Sequence, residues 1–282
     1  SVLISTSILR AIAEGEKTTL RISSSAASLT LPPTLVSALA AQGQELSIII
    51  HRTTAKTVQA DIPIGSTVIG EPVSVQTTIR GATRVTMPMN LLLPTDALER
   101  DRLLTALTIF AMHSDGTKQN IYDVVTEVDE ITGQHILLSV SFAVDKFSTF
   151  ALITLTNEPL STVVGIQSYT IAGVTKDMIA CYYKGADTMM PIRMLEHFGV
   201  NLDWNEATRT ATMSYKQNIV QLTIGSPDAY INGVKTPIVG ASGNVVSPEL
   251  APGRTMIPLR FVSEKLGFKV TWDPSHLITI SP

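Results

Sequence analysis

MMPIRMLEHFGVNLDW, residues 189–204, is answered near the C-terminus by MIPLRFVSEKLGFKVTW, residues 256–272. The two prolines, Pro191 and Pro258, stand 67 residues apart and the two tryptophans, Trp204 and Trp272, stand 68 apart. A spacing kept this closely means one supersecondary unit used twice. Each proline sits where a helix begins, at a position where a missing N–H costs nothing. Ile192, Leu195 and Phe198 then recur at helical spacing, as do Leu259, Val262 and Leu266. Gly199 and Gly267 suit the left-handed residue that ends a helix. Short strands follow at 200–204 and 268–272, then turns at Asn205-Glu206 and Asp273-Pro274, then strands at 210–214 and 277–280. Upstream, SYTIAG (168–173) and AYINGV (229–234) read as matching strand–turn signals, Asn232-Gly233 being the stronger. The repeat core is therefore Pro191, Arg193, Leu195, Phe198, Gly199 and Trp204, with Pro258, Arg260, Val262, Leu266, Gly267 and Trp272.

These residues carry a resemblance. INGV at 231–234, GRTMIPLRFVSEKLGFKVTWD at 253–273 and LITI at 277–280 resemble the copper amine oxidase N-terminal-like domain, also called the stalk domain of Gram-positive surface proteins. GADTMMPIRMLEHFGVNLDW at 185–204 is a looser copy, and the likeness covers residues 167–282. The resemblance implies a non-catalytic module that extends or displays something on a cell surface. It does not bring the oxidase's chemistry. The Asn-Tyr-Asp/Glu motif of the modified tyrosine is absent, since Asn120-Ile121-Tyr122-Asp123 has an extra residue. His51, His113, His135, His197 and His276 are scattered, with no His-x-His pair at ligand spacing. No G-x-S-x-G motif frames a serine. The expectation is no enzyme, no metal and no cofactor.

The first half reads as all-β apart from LPPTLVSALAAQG, a short helix that opens on a proline pair and ends at Gly43. Strands are expected at 18–23, 46–51, 72–80, 85–93, 103–113, 121–128, 135–142 and 147–155, with turns at Ser114-Asp115-Gly116-Thr117 and Thr132-Gly133. In the strand at 103–113, Leu103, Thr105, Leu107, Ile109 and Ala111 share one face. Many short strands at this spacing predict a β-sandwich. LTLPPTLVSALAAQGQELSIII, MPMNLLLP, SDGT and DKFSTFALI (145–153) resemble a β-domain common in S-layer-homology surface proteins. The whole is mainly β with short helices (α+β): a segment at 1–16, a β-sandwich surface domain at 17–156, a linker at 157–166 and the two-repeat stalk domain at 167–282.

Composition fits a surface protein. Charged residues make up 16% and the net charge is −3, so nothing draws the chain in bulk to nucleic acid. No stretch approaches the roughly 20 apolar residues that span a membrane. The start has no basic n-region, so an extracellular, cell-surface protein whose signal peptide is already removed is expected. Cys181 is a lone cysteine in an apolar run and reads as a small buried hydrophobe. The acidic run 127–130 lacks the spacing of a calcium loop and reads as a solvated turn.

Arg193 and Arg260 could bind an anionic ligand, but are expected to pair with a carboxylate such as Asp203 or Asp273 and lock helix to sheet. Trp204 and Trp272 could join a sugar-stacking platform, but their repeat spacing places them first in the core. Tyr182, Tyr183 and Tyr230 are candidate carbohydrate contacts, set against simple packing. Val2, Leu3, Ile4, Ile8 and Leu9 form a β-rich segment that is a candidate donor strand for a neighbouring subunit, with pairing inside its own domain as the alternative. Two functions follow: a structural protein that assembles as a homo-oligomer or homopolymer into a fibre or S-layer-like array, or a module that binds cell-wall polymer or other polysaccharide.

Overall fold

The computed structural model describes residues 1–15, 18–43, 45–131, 133–241, 243–251 and 253–282. Glu16 of the N-terminal segment and Thr132 of the expected Thr132-Gly133 turn lie outside the described residues. The protein is mainly β, with several sheets and a few short helices. It divides into two compact units, Ser1–Ile62 with Thr67–Thr154, and Pro63–Ser66 with Leu155–Pro282.

The first unit runs β1 (Val2–Ile4), α1 (Thr6–Glu14), β2 (Leu20–Ser23), β3 (Ser28–Leu31), α2 (Pro33–Gln42), β4 (Leu46–Arg52), α3 (Lys56–Gln59), β5 (Thr67–Thr77), β6 (Thr83–Leu92), α4 (Ala97–Ala106), β7 (Leu107–His113), β8 (Lys118–Ile121), β9 (Val125–Ile131), β10 (Gln134–Val144) and β11 (Ser148–Thr154). Among the described residues its strands form two antiparallel sheets, ordered β1-β4-β5-β11-β7-β8 and β2-β3-β6-β10-β9. Alternate residues of both sheets enter one apolar cluster, including Ile48, Val75, Ile109 and Phe150 from the first and Leu29, Val85 and Phe142 from the second. The Phe142 and Phe150 rings meet edge-to-face at 5.1 Å.

Four readings of this half need correction. Residues 1–16 are not one β segment. Val2–Ile4 pairs with β4 of its own unit, Val2 opposite Ile48 and Ile4 opposite Leu46. At Ser5 the backbone turns, the Ser5 hydroxyl accepts from the Ile8 N–H, and α1 begins. A serine in this place caps a helix as readily as it sits in a strand. Residues 97–106 are helical, because Asp96 Oδ1 accepts from the Glu99 N–H at 2.8 Å and opens α4; strand structure starts at Leu107. The expected strand at 121–128 is two strands, β8 and β9. The acidic run 127–130 lies within β9, an edge strand, where Glu127 accepts from the Ser139 hydroxyl at 2.9 Å.

The second unit begins with β12 (Leu160–Val163), β13 (Ser168–Ile171), β14 (Val174–Asp177), β15 (Tyr182–Lys184) and β16 (Asp187–Pro191). A 3-10 helix (Ile192–Phe198) leads to β17 (Asn201–Asn205), β18 (Thr210–Tyr215), β19 (Asn218–Thr223), β20 (Asp228–Ile231) and β21 (Val234–Pro237). Then come β22 (Glu249–Ala251), β23 (Arg254–Pro258), α5 (Leu259–Leu266), β24 (Lys269–Trp272) and β25 (Leu277–Ser281). Part of the expected linker at 157–166 is therefore strand: Leu160 pairs with Ile280 on one side and Ile171 on the other.

Among the described residues the strands of this unit form three sheets, β14-β13-β12-β25-β24, β15-β16-β23-β22 and β17-β18-β19-β20-β21. The first and last have one plan, a three-strand meander completed by a two-strand hairpin. In the last sheet both parts are close in sequence. In the first, the hairpin β24–β25 comes from the other end of the unit and closes onto β12. In the middle sheet Met189 opposes Pro258, Met190 opposes Ile257 and Pro191 opposes Met256. Adding the 67-residue offset to one member of each pair and subtracting it from the other returns the same set of pairs, so the two matching stretches of sequence pair with each other, centred on Met190 and Ile257.

Pro191 and Pro258 end strands and precede the helices, one position earlier than expected. Leu195, Phe198, Leu259, Val262 and Leu266 are buried, whereas Ile192 is only half-buried. The helices differ in type, and the count of residues explains it. The first copy has one residue fewer between proline and glycine. A 3-10 helix rises about 2.0 Å per residue against about 1.5 Å for an α-helix, so the shorter segment spans a similar gap. Gly199 and Gly267 end the two helices at φ of 90° and 100°.

Candidate functional site

Trp204 is the last-but-one residue of β17, and Trp272 the last of β24. Both strands are sheet edges. An inward-facing residue at the far end of an edge strand runs past the core it would otherwise cover. Trp204 is accordingly 37% exposed and Trp272 half-buried, which corrects their assignment to the core. The core beneath is filled by other aromatics: Phe268 stacks on Phe198 at 5.0 Å and on Tyr215 at 4.7 Å.

Each tryptophan opens into a groove. The Trp204 groove encloses about 620 Å³, and the Trp272 groove about 690 Å³. Their linings correspond at several positions. Pro191, Arg193, Thr255 and Trp204 in one stand where Pro258, Arg260, Thr188 and Trp272 stand in the other. The two grooves are thus related by the same exchange that relates the two copies. Concave surfaces with an exposed aromatic and a few polar groups are what small polar ligands bind.

The arginines do not reach Asp203 or Asp273, which corrects that expectation. Arg193 pairs with Glu196 at 3.5 Å, three residues on, and Arg260 with Glu264 at 3.8 Å, four residues on. These spacings match a 3-10 helix and an α-helix. Arg260 also lies over the Trp272 ring, its Cζ 4.4 Å from the ring centre. Asp273 instead caps its own turn, accepting from the Ser275 hydroxyl and N–H, which holds its carboxyl below the usual range.

Trp204 Nε1 donates to Glu206 Oε2 at 2.5 Å, so the indole N–H is satisfied and the ring held in place. The far wall of this groove includes Tyr169, whose hydroxyl bonds His197 Nε2. Burial lowers the His197 pKa, and nearby Lys176 lowers it further, so the ring is neutral at neutral pH. Burial raises the Tyr169 phenol. The two therefore form a neutral donor–acceptor pair.

The three candidate tyrosines are not one platform. Tyr183 lines the Trp272 groove and bonds His276 Nδ1 at 2.8 Å. Tyr182, its neighbour on β15, donates instead to Glu249 Oε1 at 2.5 Å. Tyr230 is 47% exposed on β20 and lines neither groove. Glu206, Glu249 and Glu264, which hold these groups, were not singled out in the sequence. The signal available for two of them was spacing alone, a glutamate two residues after Trp204 and another four after Arg260.

Among the candidate assembly residues, Ile4 and Leu9 are buried in their own unit, while Val2, Leu3 and Ile8 are exposed. Cys181 is buried, and burial pushes its thiol up to about 12. Ser148 and His113 share a hydrogen bond, but they are buried residues paired directly across β11 and β7, which makes them a cross-strand core contact. Among the described residues no group of three or more His, Cys, Asp or Glu side chains is placed to hold a metal ion. Among them, too, no helix is long and apolar enough to cross a membrane.

No curated protein and no solved structure matches the chain. The likeness of residues 17–155 to S-layer-homology surface domains finds no support in these comparisons. A family model does match the second unit: residues 152–280 are similar to the Copper amine oxidase N-terminal domain, a non-catalytic domain.

Proposed function

We propose that the chain is a non-catalytic polysaccharide-binding protein of a bacterial cell surface. In this reading the second unit carries the saccharide contacts on its two-repeat frame, and the first is a β-sandwich that supports it. One observation carries the proposal: corresponding grooves in the two copies are each lined by a tryptophan, and Trp204 lies open to solvent in its groove while Trp272 is half-buried. A pyranose ring with equatorial hydroxyls has a flat C–H face that covers an indole, while its hydroxyls reach the carboxylates and guanidinium groups around the rim. The cell-surface setting rests on the resemblance of residues 167–282 to stalk domains.

Co-sedimentation with insoluble β-1,4-glucan, chitin and peptidoglycan sacculi tests the proposal. The protein is expected to be depleted by at least one of them, and Trp204→Ala to lose that depletion. Failure to sediment with any of the three would overturn it.

A second reading, assembly into a fibre or layer, is favoured by β1. That strand is a sheet edge with Val2 40% and Leu3 66% exposed, and such an edge accepts a further strand. Sedimentation velocity at rising concentration decides it: a growing series of oligomers supports assembly, and a constant monomer excludes it.

A further inference from the structure

Resting on the saccharide reading, we infer that the two grooves are unequal as saccharide sites: the Trp204 groove offers a ring free to stack a sugar, whereas in the Trp272 groove Arg260 covers the ring. Arg260 and Trp272 both line this groove, and the guanidinium carbon lies over the indole, 4.4 Å from the ring centre. Planar guanidinium groups stack on aromatic faces in this way. It fills the space on the ring that a pyranose would occupy. Glu264, one turn further along α5, pairs with the same guanidinium at 3.8 Å.

At the Trp204 groove the equivalent Arg193 lines the groove without lying over the ring. Arg193 is drawn along its own helix to Glu196, and its side chain is 71% exposed against 49% for Arg260. The cause is the single missing residue. In the 3-10 helix, positions three apart eclipse one another, so the carboxylate stands above Arg193. In α5, position 263 is a buried serine and the carboxylate falls at 264. Trp204 is left with its N–H bonded to Glu206 and its ring free of the arginine. Tyr169, His197, Asp177 and Arg254 around it supply hydrogen-bonding groups for sugar hydroxyls. The ligand class is a chain of β-linked hexopyranoses.

The test titrates a soluble β-1,4-linked N-acetylglucosamine hexamer into the full chain by calorimetry. The wild type is expected to show a single class of site, with one hexamer bound per protein. Trp204→Ala should weaken binding about 10-fold or more, the loss of one stacked ring, while Trp272→Ala leaves it unchanged. Arg260→Ala should raise the stoichiometry to two, and Trp204→Ala combined with Arg260→Ala should restore one. Arg260→Gln, which keeps the stem but not the cation, serves if Arg260→Ala does not fold.

A ligand-free readout runs beside this. The chain has 2 tryptophans, so Trp204→Phe leaves Trp272 as sole reporter. Its quenching by acrylamide should rise when Arg260→Ala is added. Two sites in the wild type, or equal losses from Trp204→Ala and Trp272→Ala, would overturn the inequality and leave saccharide binding standing. No binding by the wild type or by Arg260→Ala would overturn both.

Discussion

Tyr182 and Glu249 are joined by a hydrogen bond of 2.5 Å and occupy the same position in the two copies, 67 residues apart. They sit on β15 and β22, the outer strands of the middle sheet. Lys184 of β15 also reaches Glu249, and its Nζ bonds the Ser247 carbonyl. Side chains thus link the two edges of that sheet, and the symmetry of the backbone is broken by chemistry: a phenol in one copy answers a carboxylate in the other.

This link is sensitive to acid. Lys184 first, and then Tyr182, hold the Glu249 carboxyl below its ordinary value. A carboxylate stabilised in the folded state contributes above its unfolded pKa, and that contribution fades as pH falls through the lower folded value. Lys184 and Glu249 are 40% and 36% exposed, so solvent keeps the ion pair to about 1 kcal/mol or less. Glu249→Gln is expected to narrow the gap in urea midpoint between pH 7 and pH 3. Tyr182→Phe should cost about 1 kcal/mol at pH 7. An unchanged pH dependence in Glu249→Gln would show that the link carries no stability.

The helices of the two copies make a second test. Leu195 and Leu266 are fully buried, and truncating either to alanine should cost about 2–5 kcal/mol. Ile192 is half-buried, so Ile192→Ala should cost clearly less. Both tryptophans lie in this unit, so urea unfolding followed by their fluorescence reports on it alone. Similar losses at Ile192 and Leu195 would mean that the helix face has been misjudged.

The turn at Asn232-Gly233 offers a third. Asn232 has φ of 49° and Gly233 of 83°, and the matching Ala172 and Gly173 have 47° and 74°. Asparagine tolerates this region better than alanine does. Asn232 also works for the ladder: its Oδ1 accepts from the Ile219 N–H at 2.7 Å. Asn232→Ala should therefore cost about 1–2 kcal/mol. Asn232→Gly keeps the backbone freedom but not the bond, and should cost less. Equal costs for the two would leave the hydrogen bond as the whole effect.

Much of the frame was legible because periodicity and punctuation leave marks. The mainly-β class follows from many short alternating runs, and the helix at Pro33–Gln42 from its opening proline pair and closing Gly43. What could not be read was decided by place rather than by residue type. Trp204 and Trp272 look like core residues until the strands bearing them turn out to be sheet edges. The alternation from Leu103 to Ala111 hides a helix end, because the decisive residue, Asp96, lies well upstream. Arg193 and Arg260 look equivalent, and only the helix type separates their partners.

The N-terminal segment gives the last prediction. Val2, Ile4, Thr6 and Ile8 fall at the period of a strand, and a donor strand could be removed without harming the unit that carries it. The structure changes that expectation. Ser5 interrupts the strand, and α1 carries Leu9 into the core of its own unit, where it is fully buried. α1 also packs on α2, whose Val36, Leu39 and Ala40 face the same cluster. Leu9→Ala should then cost about 2–5 kcal/mol. Deleting residues 1–12 should cost more, because it bares that cluster and leaves β4 an open edge as well. Neither tryptophan belongs to this unit, so the loss should show in far-UV circular dichroism while tryptophan fluorescence still reports a folded second unit. A truncated protein as stable as the full chain by circular dichroism would show that β1 and α1 are dispensable, and would return the segment to the role of a strand held for a neighbour.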